Sequence, residues 1–227
     1  MNKTQEQRFN KVKESVIFKR IRSKYSLSEK RVLDIGCGYG EYLLFFGKGS
    51  VGLTTDEEEI KFGKDNKLNI KFGNAEFLEE SLSGDEGFEA IWANNLFEHL
   101  LSPHSFLMKL KNSSEGDTKL ILGVPVIPSI YFLTGINKFK GAFASNHIGF
   151  YTRMTLRLTI ERAGWVVEDI RPFIFYNKYL DFLASFLSPH LYVIARNNTN
   201  FIYPSKKFNE WFADKHYDFL FKITGQK

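Results

Sequence analysis

The feature that most constrains this chain is a glycine-rich turn directly after a short apolar run. Residues 32–35 read VLDI, typical of a buried strand, and residues 36–40 read GCGYG. Glycine has no Cβ, so the backbone here can turn sharply and lie close to a ligand. Ligands of open α/β sheets bind at the carboxyl ends of the strands, so a ligand site is expected at this turn.

Strand-like and helix-like segments alternate along the chain. Helices are predicted at 9–21, 41–46, 104–111 and 152–163, and a capping-box pattern over residues 56–59 opens another. Short apolar runs predict seven strands, at 31–35, 51–54, 70–72, 88–93, 118–124, 165–170 and 191–195. This alternation predicts an α/β fold with a parallel sheet.

The spacing of the glycines argues against a dinucleotide site. The nicotinamide fingerprint G-x-G-x-x-G needs glycine or alanine at position 41, where this chain has Glu41. A carboxylate beside a pyrophosphate is electrostatically unfavourable. Asp34, just before the first glycine, also fits an ammonium-bearing ligand better than a phosphate.

Charge is concentrated at the amino terminus of a chain with net charge +5. Residues 1–31 hold ten Lys or Arg and three acidic residues. This basic segment is favoured as the solvated face of an amphipathic helix, with contact to nucleic acid or an anionic membrane as alternatives. Residues 130 onward are rich in aromatic side chains, which indicates an apolar pocket or a lipid-facing surface.

Several observations bear on location and redox state. No uncharged apolar run reaches the roughly 18–20 residues of a spanning helix, and the first residues lack the apolar core of a secretory signal. The single cysteine, Cys37, has no internal disulfide partner. A cytoplasmic protein is expected, with peripheral membrane contact and homodimer formation left open.

Three ordered motifs resemble those of the class I S-adenosylmethionine-dependent methyltransferases, specifically the group related to quinone-biosynthesis methyltransferases. They are residues 32–40 (VLDIGCGYG), residues 88–91 with 96–100 (FEAI and LFEHL), and residues 147–152 (HIGFYT). The resemblance implies a Rossmann-like, seven-stranded, mostly parallel sheet flanked by helices in a three-layer sandwich. It also implies S-adenosylmethionine as cofactor and S-adenosylhomocysteine as product.

The resemblance implies a division of the chain into three parts. Residues 1–29 form an amphipathic helical extension, residues 30–196 the methyltransferase domain, and residues 197–227 an aromatic tail. Residues 125–150 and 172–190 are expected to build the acceptor pocket, partly covered by the amino-terminal helix.

Cofactor contacts follow from the resemblance position by position. Gly36, Gly38 and the small residue Cys37 would pack on the methionine portion, with Asp34 near its amino group. The usual ribose-binding acid is replaced by Thr54, so Thr54, Thr55 or Asp56 is expected to bind the ribose; Asp56 is favoured instead as a helix N-cap. Asn74 and Ala75 would contact adenine, and Asn94 would contact the cofactor mainly through its backbone.

The resemblance places the reaction near two histidines. His99 and His147 are the candidate general bases, and Glu98 and Tyr151 are placed on the substrate side. Structural roles remain the alternative for both histidines. No Cys/His spacing indicates zinc, so no metal is predicted, although a divalent ion on Glu98 and His99 stays open.

The predicted function is methyl transfer to an O or N atom of a small-molecule acceptor, with aromatic, lipid-linked and glycan-linked acceptors all open. A non-catalytic S-adenosylmethionine-binding protein is the main alternative, and an NAD-dependent oxidoreductase is less favoured. Nucleic-acid modification is not favoured, because residues 94–97 read NNLF rather than an N-P-P-aromatic tetrad.

Overall fold

A single seven-stranded sheet organises the chain. The structure, a computed structural model, describes residues 2–82, 87–114, 116–130 and 141–202. Its strands are β1 (Val32–Ile35), β2 (Val51–Thr54), β3 (Ile70–Phe72), β4 (Ala90–Asn94), β5 (Lys119–Pro125), β6 (Trp165–Arg171) and β7 (His190–Asn197). The predicted positions of all seven strands are thereby confirmed.

The strand order is β3-β2-β1-β4-β5-β7-β6. Strands β1 to β5 pair in parallel, whereas β7 runs antiparallel to both β5 and β6. The carboxyl ends of β1, β2, β3 and β4 therefore lie along one edge, and the amino end of β7 meets that edge beside β5. This edge is where a ligand site is expected in such a sheet.

Helices cover both faces of the sheet. They are α1 (Lys3–Glu14), α2 (Val16–Lys24), α3 (Glu57–Asp65), α4 (Leu78–Ser81), α5 (Pro103–Asn112), α6 (Arg153–Arg162) and α7 (Lys178–Ser185). Short 3₁₀ turns occur at Leu43–Phe45, Ala75–Phe77 and Phe97–His99. In the described parts of the chain, no helix has the length and apolar character needed to cross a membrane.

Alternate residues of each strand pack into two separate cores. On one face, Phe18 and Ile21 of α2 pack with Trp92 of β4. On the other face, helices α5 and α6 pack against the sheet through residues such as Leu107 and Ile160. Each such side chain is fully buried, which contributes roughly 1.5–3 kcal/mol. The predicted three-layer α/β sandwich is confirmed.

Two helix predictions need correction. The segment 41–46 forms only the 3₁₀ turn Leu43–Phe45, because Gly47 follows at once and its amide donates to the Lys30 carbonyl, 2.9 Å away. A Cβ on Gly47 would lie 2.5 Å from that oxygen. The amino-terminal helix is also divided at Ser15, whose hydroxyl accepts from the Phe18 amide and caps α2.

Helix α7 was not predicted, because its apolar residues do not follow a buried stripe. Asn177 caps it by accepting from the amides of Tyr179 and Leu180, while Tyr179 and Leu183 stay exposed. Residues 203–227 of the aromatic tail and residues 131–140 of the predicted 125–150 insertion lie outside the described residues.

Candidate active site

The glycine turn after β1 has the sharp bend that its sequence predicts. Gly36 and Gly38 have φ of 72° and 58°, in the left-handed region that favours glycine. The amides of Gly36 and Cys37 both donate to the Leu53 carbonyl, at 2.9 and 3.0 Å, which ties the turn to β2. A Cβ on Gly38 would lie 2.5 Å from Nη2 of Arg8, the mobile end of a side chain, so the positive φ is the stronger reason for glycine here.

Two buried carboxyl groups lie beneath this turn. Asp34 and Glu41 are 2% and 4% exposed, and Oδ2 of Asp34 has no hydrogen-bond partner among the described residues. Burial, and then the nearby Glu41, raises the pKa of Asp34. Arg8 forms an ion pair with Glu41, and the unpartnered oxygen of Asp34 provides an environment suited to a ligand ammonium group.

Arg8 is a site residue that the sequence analysis missed. It projects from α1, forms an ion pair with Glu41, and lies 5.2 Å from the ring centre of Tyr39. Arg8 is nevertheless about half exposed, as expected for a cation on the solvated face of a helix, and it makes this contact as well. Nothing local in the sequence pairs Arg8 with Glu41, since the contact depends on how α1 folds back over the sheet.

The end of β2 carries an acidic group supplied by a neighbouring helix. Thr54 donates from Oγ1 to Oε2 of Glu59 at 2.5 Å. Asp56 accepts from the amides of Glu58 and Glu59, so its predicted N-cap role is confirmed. Thr55 is exposed. Of these residues, Glu59 is the one that places a carboxylate beside Thr54.

Asn74 and Ala75 follow β3 at the same edge of the sheet. The amide of Gly73 donates to the Thr54 carbonyl at 2.9 Å, which holds the two strand ends together. Oδ1 of Asn74 accepts from the Glu76 amide at 2.9 Å, so its side-chain carbonyl already caps the 3₁₀ turn Ala75–Phe77.

A cavity of about 660 Å³ opens from the glycine turn. Its lining includes three residues of the predicted cofactor set, namely Gly36, Cys37 and Asn94. Asp34, Thr54 and Asn74 are not part of this lining, although they lie at the same sheet edge. The cavity therefore starts at the turn and extends away from β2 and β3.

The outer walls of the cavity come from two distant parts of the chain. Helices α1 and α2 and the link between them contribute Arg8, Lys11, Val12, Ser15 and Ile17. The segment before and into β7 contributes Pro172, Ile174, Ser188, Pro189, His190 and Tyr192. Residues within the predicted 172–190 pocket segment thus line the cavity, whereas none of the described residues of 125–150 does.

Cys37 and Asn94 form part of the cavity floor. Burial raises the pKa of the Cys37 thiol, so it stays protonated, in agreement with a packing role. Asn94 donates from Nδ2 to the Tyr42 hydroxyl at 3.2 Å, and its buried Oδ1 has no partner among the described residues. Asn94 therefore joins Tyr42, another residue of the cavity lining, through its side chain.

His190 is the histidine at the cavity wall, and the sequence analysis did not select it. Its Nε2 lies 2.9 Å from Oδ1 of Asn95, a residue held at φ 53°. Burial lowers the pKa of His190 from 6.5 to about 4, so the imidazole is neutral at pH 7. The only sequence signal was its position after Pro189, at the start of an apolar run.

The predicted bases His99 and His147 lie elsewhere. Both face the buried Glu98, with Nε2 of each histidine 3.8 Å from Oε1 of Glu98. Burial raises the pKa of Glu98, opposed by its own backbone amide and by both histidines. The structure brings these three residues together, but none of them is in the cavity lining.

Tyr151 also lies near Glu98 rather than at the cavity. Its ring packs on Phe97 with 5.1 Å between centroids, and the side chain is buried. Burial, and then Glu98, raises the pKa of the Tyr151 hydroxyl to about 12. Its contacts are those of a core residue.

Fold and site together define a class. A seven-stranded sheet in which only β7 is antiparallel, with the buried Asp34 in β1 and a glycine turn directly after it, is the class I methyltransferase fold. A family model described as a methyltransferase domain matches residues 4–170, and the chain belongs to that family. This confirms the resemblance to class I S-adenosylmethionine-dependent methyltransferases.

Solved structures share the fold at low sequence identity. A SAM-dependent methyltransferase from Archaeoglobus fulgidus is 20% identical, with a TM-score of 0.57 over 79% of this chain and 92% of that one. A TehB-like SAM-dependent methyltransferase from Corynebacterium glutamicum is 16% identical, with a TM-score of 0.58 over 86% and 96%. A chain from the complex between the Haloferax volcanii Trm112 methyltransferase activator and a methyltransferase is 12% identical, with a TM-score of 0.61 over 86% and 95%. No curated protein matches the sequence.

Proposed function

We propose that this chain binds S-adenosylmethionine at the glycine turn and transfers its methyl group to an O or N atom of a small-molecule acceptor. The observation that carries this proposal is a single cavity lined both by Gly36 of the glycine turn and by His190. It offers one continuous space for the methionine part of the cofactor and for an acceptor.

The residues present fit the cofactor. The unpartnered Oδ2 of Asp34 supports an amino group bound at the end of β1, since a buried carboxylate needs a cation or a hydrogen-bond donor. Glu59, held by Thr54, is proposed to bind the ribose hydroxyls in place of the acid missing from β2. Asn74 and Ala75 are proposed to contact adenine, mainly through the backbone, because Oδ1 of Asn74 already accepts a hydrogen bond.

When bound, S-adenosylmethionine supplies a methyl group on a positively charged sulfur, which a nucleophile can take directly. The main task of the protein is then orientation, which supplies roughly 7–11 kcal/mol in favourable cases. The floor residues Cys37, Tyr42 and Asn94 are proposed to position the reacting groups.

The cavity walls favour an acceptor with an apolar body. Val12, Ile17 and Ile174 present aliphatic side chains, and Tyr192 adds an aromatic ring. Ser188 and His190 are polar groups on the same wall. An aromatic or lipid-linked acceptor that carries one hydroxyl or amine group suits this lining.

His190 is proposed as the general base, the role predicted from sequence for His99 and His147. Its Nε2–H donates to Oδ1 of Asn95, which leaves Nδ1 with a lone pair that can accept a proton from the acceptor. A positioned base of this kind contributes typically about 10²–10⁴-fold.

Two measurements test the proposal. Isothermal titration should show binding of S-adenosylmethionine and S-adenosylhomocysteine and none of NAD. Transfer of a labelled methyl group should then be detected with members of a panel of phenols, amines and lipid-linked acceptors. His190→Gln should slow transfer at least about 100-fold with cofactor affinity unchanged, whereas the control His104→Gln should not.

Each other outcome overturns a defined part of the proposal. Binding of NAD in preference to S-adenosylmethionine would contradict the cofactor assignment. Cofactor binding without transfer to any acceptor class would favour a non-catalytic binding protein. Full activity in His190→Gln would exclude His190 as the general base, and His99 and His147 would again be the candidates.

A further inference from the structure

A second polar cluster lies outside the cavity lining. It consists of Glu98 and His99 in the 3₁₀ turn Phe97–His99, and His147 in the segment before α6, and is called here the Glu98 cluster. Oε1 of Glu98 lies 3.8 Å from Nε2 of each histidine. One ligand atom from each residue lies within 4.8 Å of the other two.

The backbone holds the Glu98 cluster together. The Glu98 carbonyl accepts from the amides of Ile148 and Gly149, at 3.0 and 2.8 Å. These bonds fix the segment that carries His147 against the turn that carries Glu98 and His99. The arrangement of the three side chains is therefore set by the fold and is not a chance meeting of surface groups.

A hydrogen bond also fixes the ring of His99. Its Nδ1 lies 3.0 Å from the carbonyl oxygen of Asn146, and a carbonyl can only accept, so Nδ1 carries the proton. In the neutral ring, Nε2 then presents a lone pair towards Glu98. A metal-binding histidine usually donates a hydrogen bond from one ring nitrogen to a carbonyl or carboxylate and binds the metal through the other nitrogen.

The carboxylate of Glu98 lacks a side-chain hydrogen-bond partner among the described residues. Glu98 is 1% exposed, and neither of its carboxylate oxygens has a hydrogen-bond partner among the described residues. The 3.8 Å separation from each imidazole is too long for a hydrogen bond. A buried carboxylate that faces two imidazole nitrogens at this distance has room for an ion between them, and burying it unpaired is costly.

We propose that the Glu98 cluster binds a divalent transition-metal ion through the Glu98 carboxylate and Nε2 of His99 and His147. Two imidazoles and one carboxylate are the donors of catalytic zinc and non-haem iron sites, whereas Mg²⁺ and Ca²⁺ prefer oxygen ligands. Tetrahedral bonds of about 2.1 Å place ligand atoms roughly 3.4 Å apart, so the side chains need to move by only about 1 Å.

The site would keep an open coordination position. Glu98 and His147 are largely buried, whereas the His99 side chain is 32% exposed. Solvent or an added ligand can therefore reach the ion from the His99 side. Three protein ligands with one open position is the pattern of a catalytic rather than a closed structural metal site.

Metal binding can be tested separately from methyl transfer. Untagged protein treated with EDTA and dialysed should bind one Zn²⁺ per chain in isothermal titration. Co²⁺ should bind the same site and give visible absorption bands typical of a tetrahedral or five-coordinate ion. Glu98→Gln and His147→Gln should each lower Zn²⁺ affinity by at least about 100-fold, more than the loss expected for an outer-shell group.

The matched control is His104→Gln, which removes a histidine outside the cluster and should bind Zn²⁺ as the wild type does. His99→Gln, at the most exposed position, provides a third ligand variant if burial makes the other two unstable. Zn²⁺ should also raise the Tm of the wild type, with reversal by EDTA.

Two results would overturn the proposal. One is the absence of stoichiometric Zn²⁺ or Co²⁺ binding by folded wild-type protein. The other is binding that all three ligand variants retain at full affinity. Either result leaves the proposed methyl transfer intact, since that function uses the cavity and His190.

Discussion

Thr54 and Glu59 form a hydrogen bond of 2.5 Å between the end of β2 and the first turn of α3. Thr54 also accepts from the Asp56 amide at 3.2 Å, so one hydroxyl links strand, cap and helix. The carboxylate that the sequence lacks on β2 is supplied from five residues further along the chain.

This relationship predicts that Glu59 is needed for cofactor binding. Glu59→Gln should lower the affinity for S-adenosylmethionine at least about tenfold, since a hydrogen bond to a charged group contributes about 1.5–3 kcal/mol. The double variant Thr54→Asp with Glu59→Gln should recover most of the affinity by moving the acid to β2. Isothermal titration measures the affinity of both variants.

The control is Glu58→Gln, which changes an exposed neighbour on the same helix. Equal affinity in wild type and Glu59→Gln would remove Glu59 from the ribose site.

A second prediction concerns Arg8, which joins α1 to the glycine turn through Glu41. Arg8→Gln should release S-adenosylmethionine several-fold faster, because the helix that covers the turn loses its anchor. Arg8 is about half exposed, so only a small change in unfolding free energy is expected. Stopped-flow displacement by S-adenosylhomocysteine measures the rate. The control Lys13→Gln removes an exposed cation from the same helix, and an equal effect there would point to net charge instead of the Arg8–Glu41 pair.

The strands and the glycine turn could be predicted because each depends on local sequence. Apolar runs of three to seven residues mark buried strands, and the glycines at 36 and 38 mark backbone that other residues rarely adopt. The N-cap role of Asp56 was also local. The predicted capping box was only half right, since the Glu59 side chain bonds to Thr54 and not back to the Asp56 amide.

The acceptor side could not be predicted in the same way. His190 reaches the cavity because β7 runs antiparallel to β5, which places its first residue opposite Pro125 at the carboxyl edge. Strand direction is not visible in the apolar run 191–195. Arg8 reaches Glu41 only after α1 folds over the sheet. Both contacts depend on tertiary structure rather than on residue spacing.

A third prediction follows from the pKa of His190, which burial lowers to about 4. Between pH 6.5 and 4 the unfolded chain binds a proton at this position that the folded chain does not, so stability falls as the pH falls through this window. His190→Gln should therefore show a shallower loss of Tm between pH 6.5 and 4 than the wild type. His104→Gln is the control. A slope that is the same in wild type and His190→Gln would contradict the buried, neutral state of His190.

The same pKa predicts the pH profile of the reaction. If neutral His190 accepts the proton, kcat/KM should stay level as the pH falls from 7 and decline only as it approaches about 4. With a base of the ordinary pKa of 6.5, kcat/KM would already fall as the pH drops from 7 to 6. Measurement of kcat/KM between pH 5 and 8 in folded protein separates the two. A decline centred near pH 6.5 would exclude His190 as the base.

The last prediction is that Asp34 favours cofactor binding at the expense of stability. Its pKa is raised by burial, so its contribution to folding is present below the unfolded pKa of 3.8 and is lost as the pH rises through the raised folded value. At pH 7, Asp34→Asn should therefore raise the Tm of the cofactor-free protein and lower its affinity for S-adenosylmethionine at least about tenfold. The gain in Tm should shrink towards pH 4, where Asp34 is protonated in the folded wild type.

Asp65→Asn, an exposed substitution of the same kind, should change neither the Tm nor the affinity. If the Tm of Asp34→Asn at pH 7 were lower than that of the wild type, groups of the protein would already stabilise the Asp34 carboxylate without a ligand. The argument that this carboxylate binds an ammonium group would then fail.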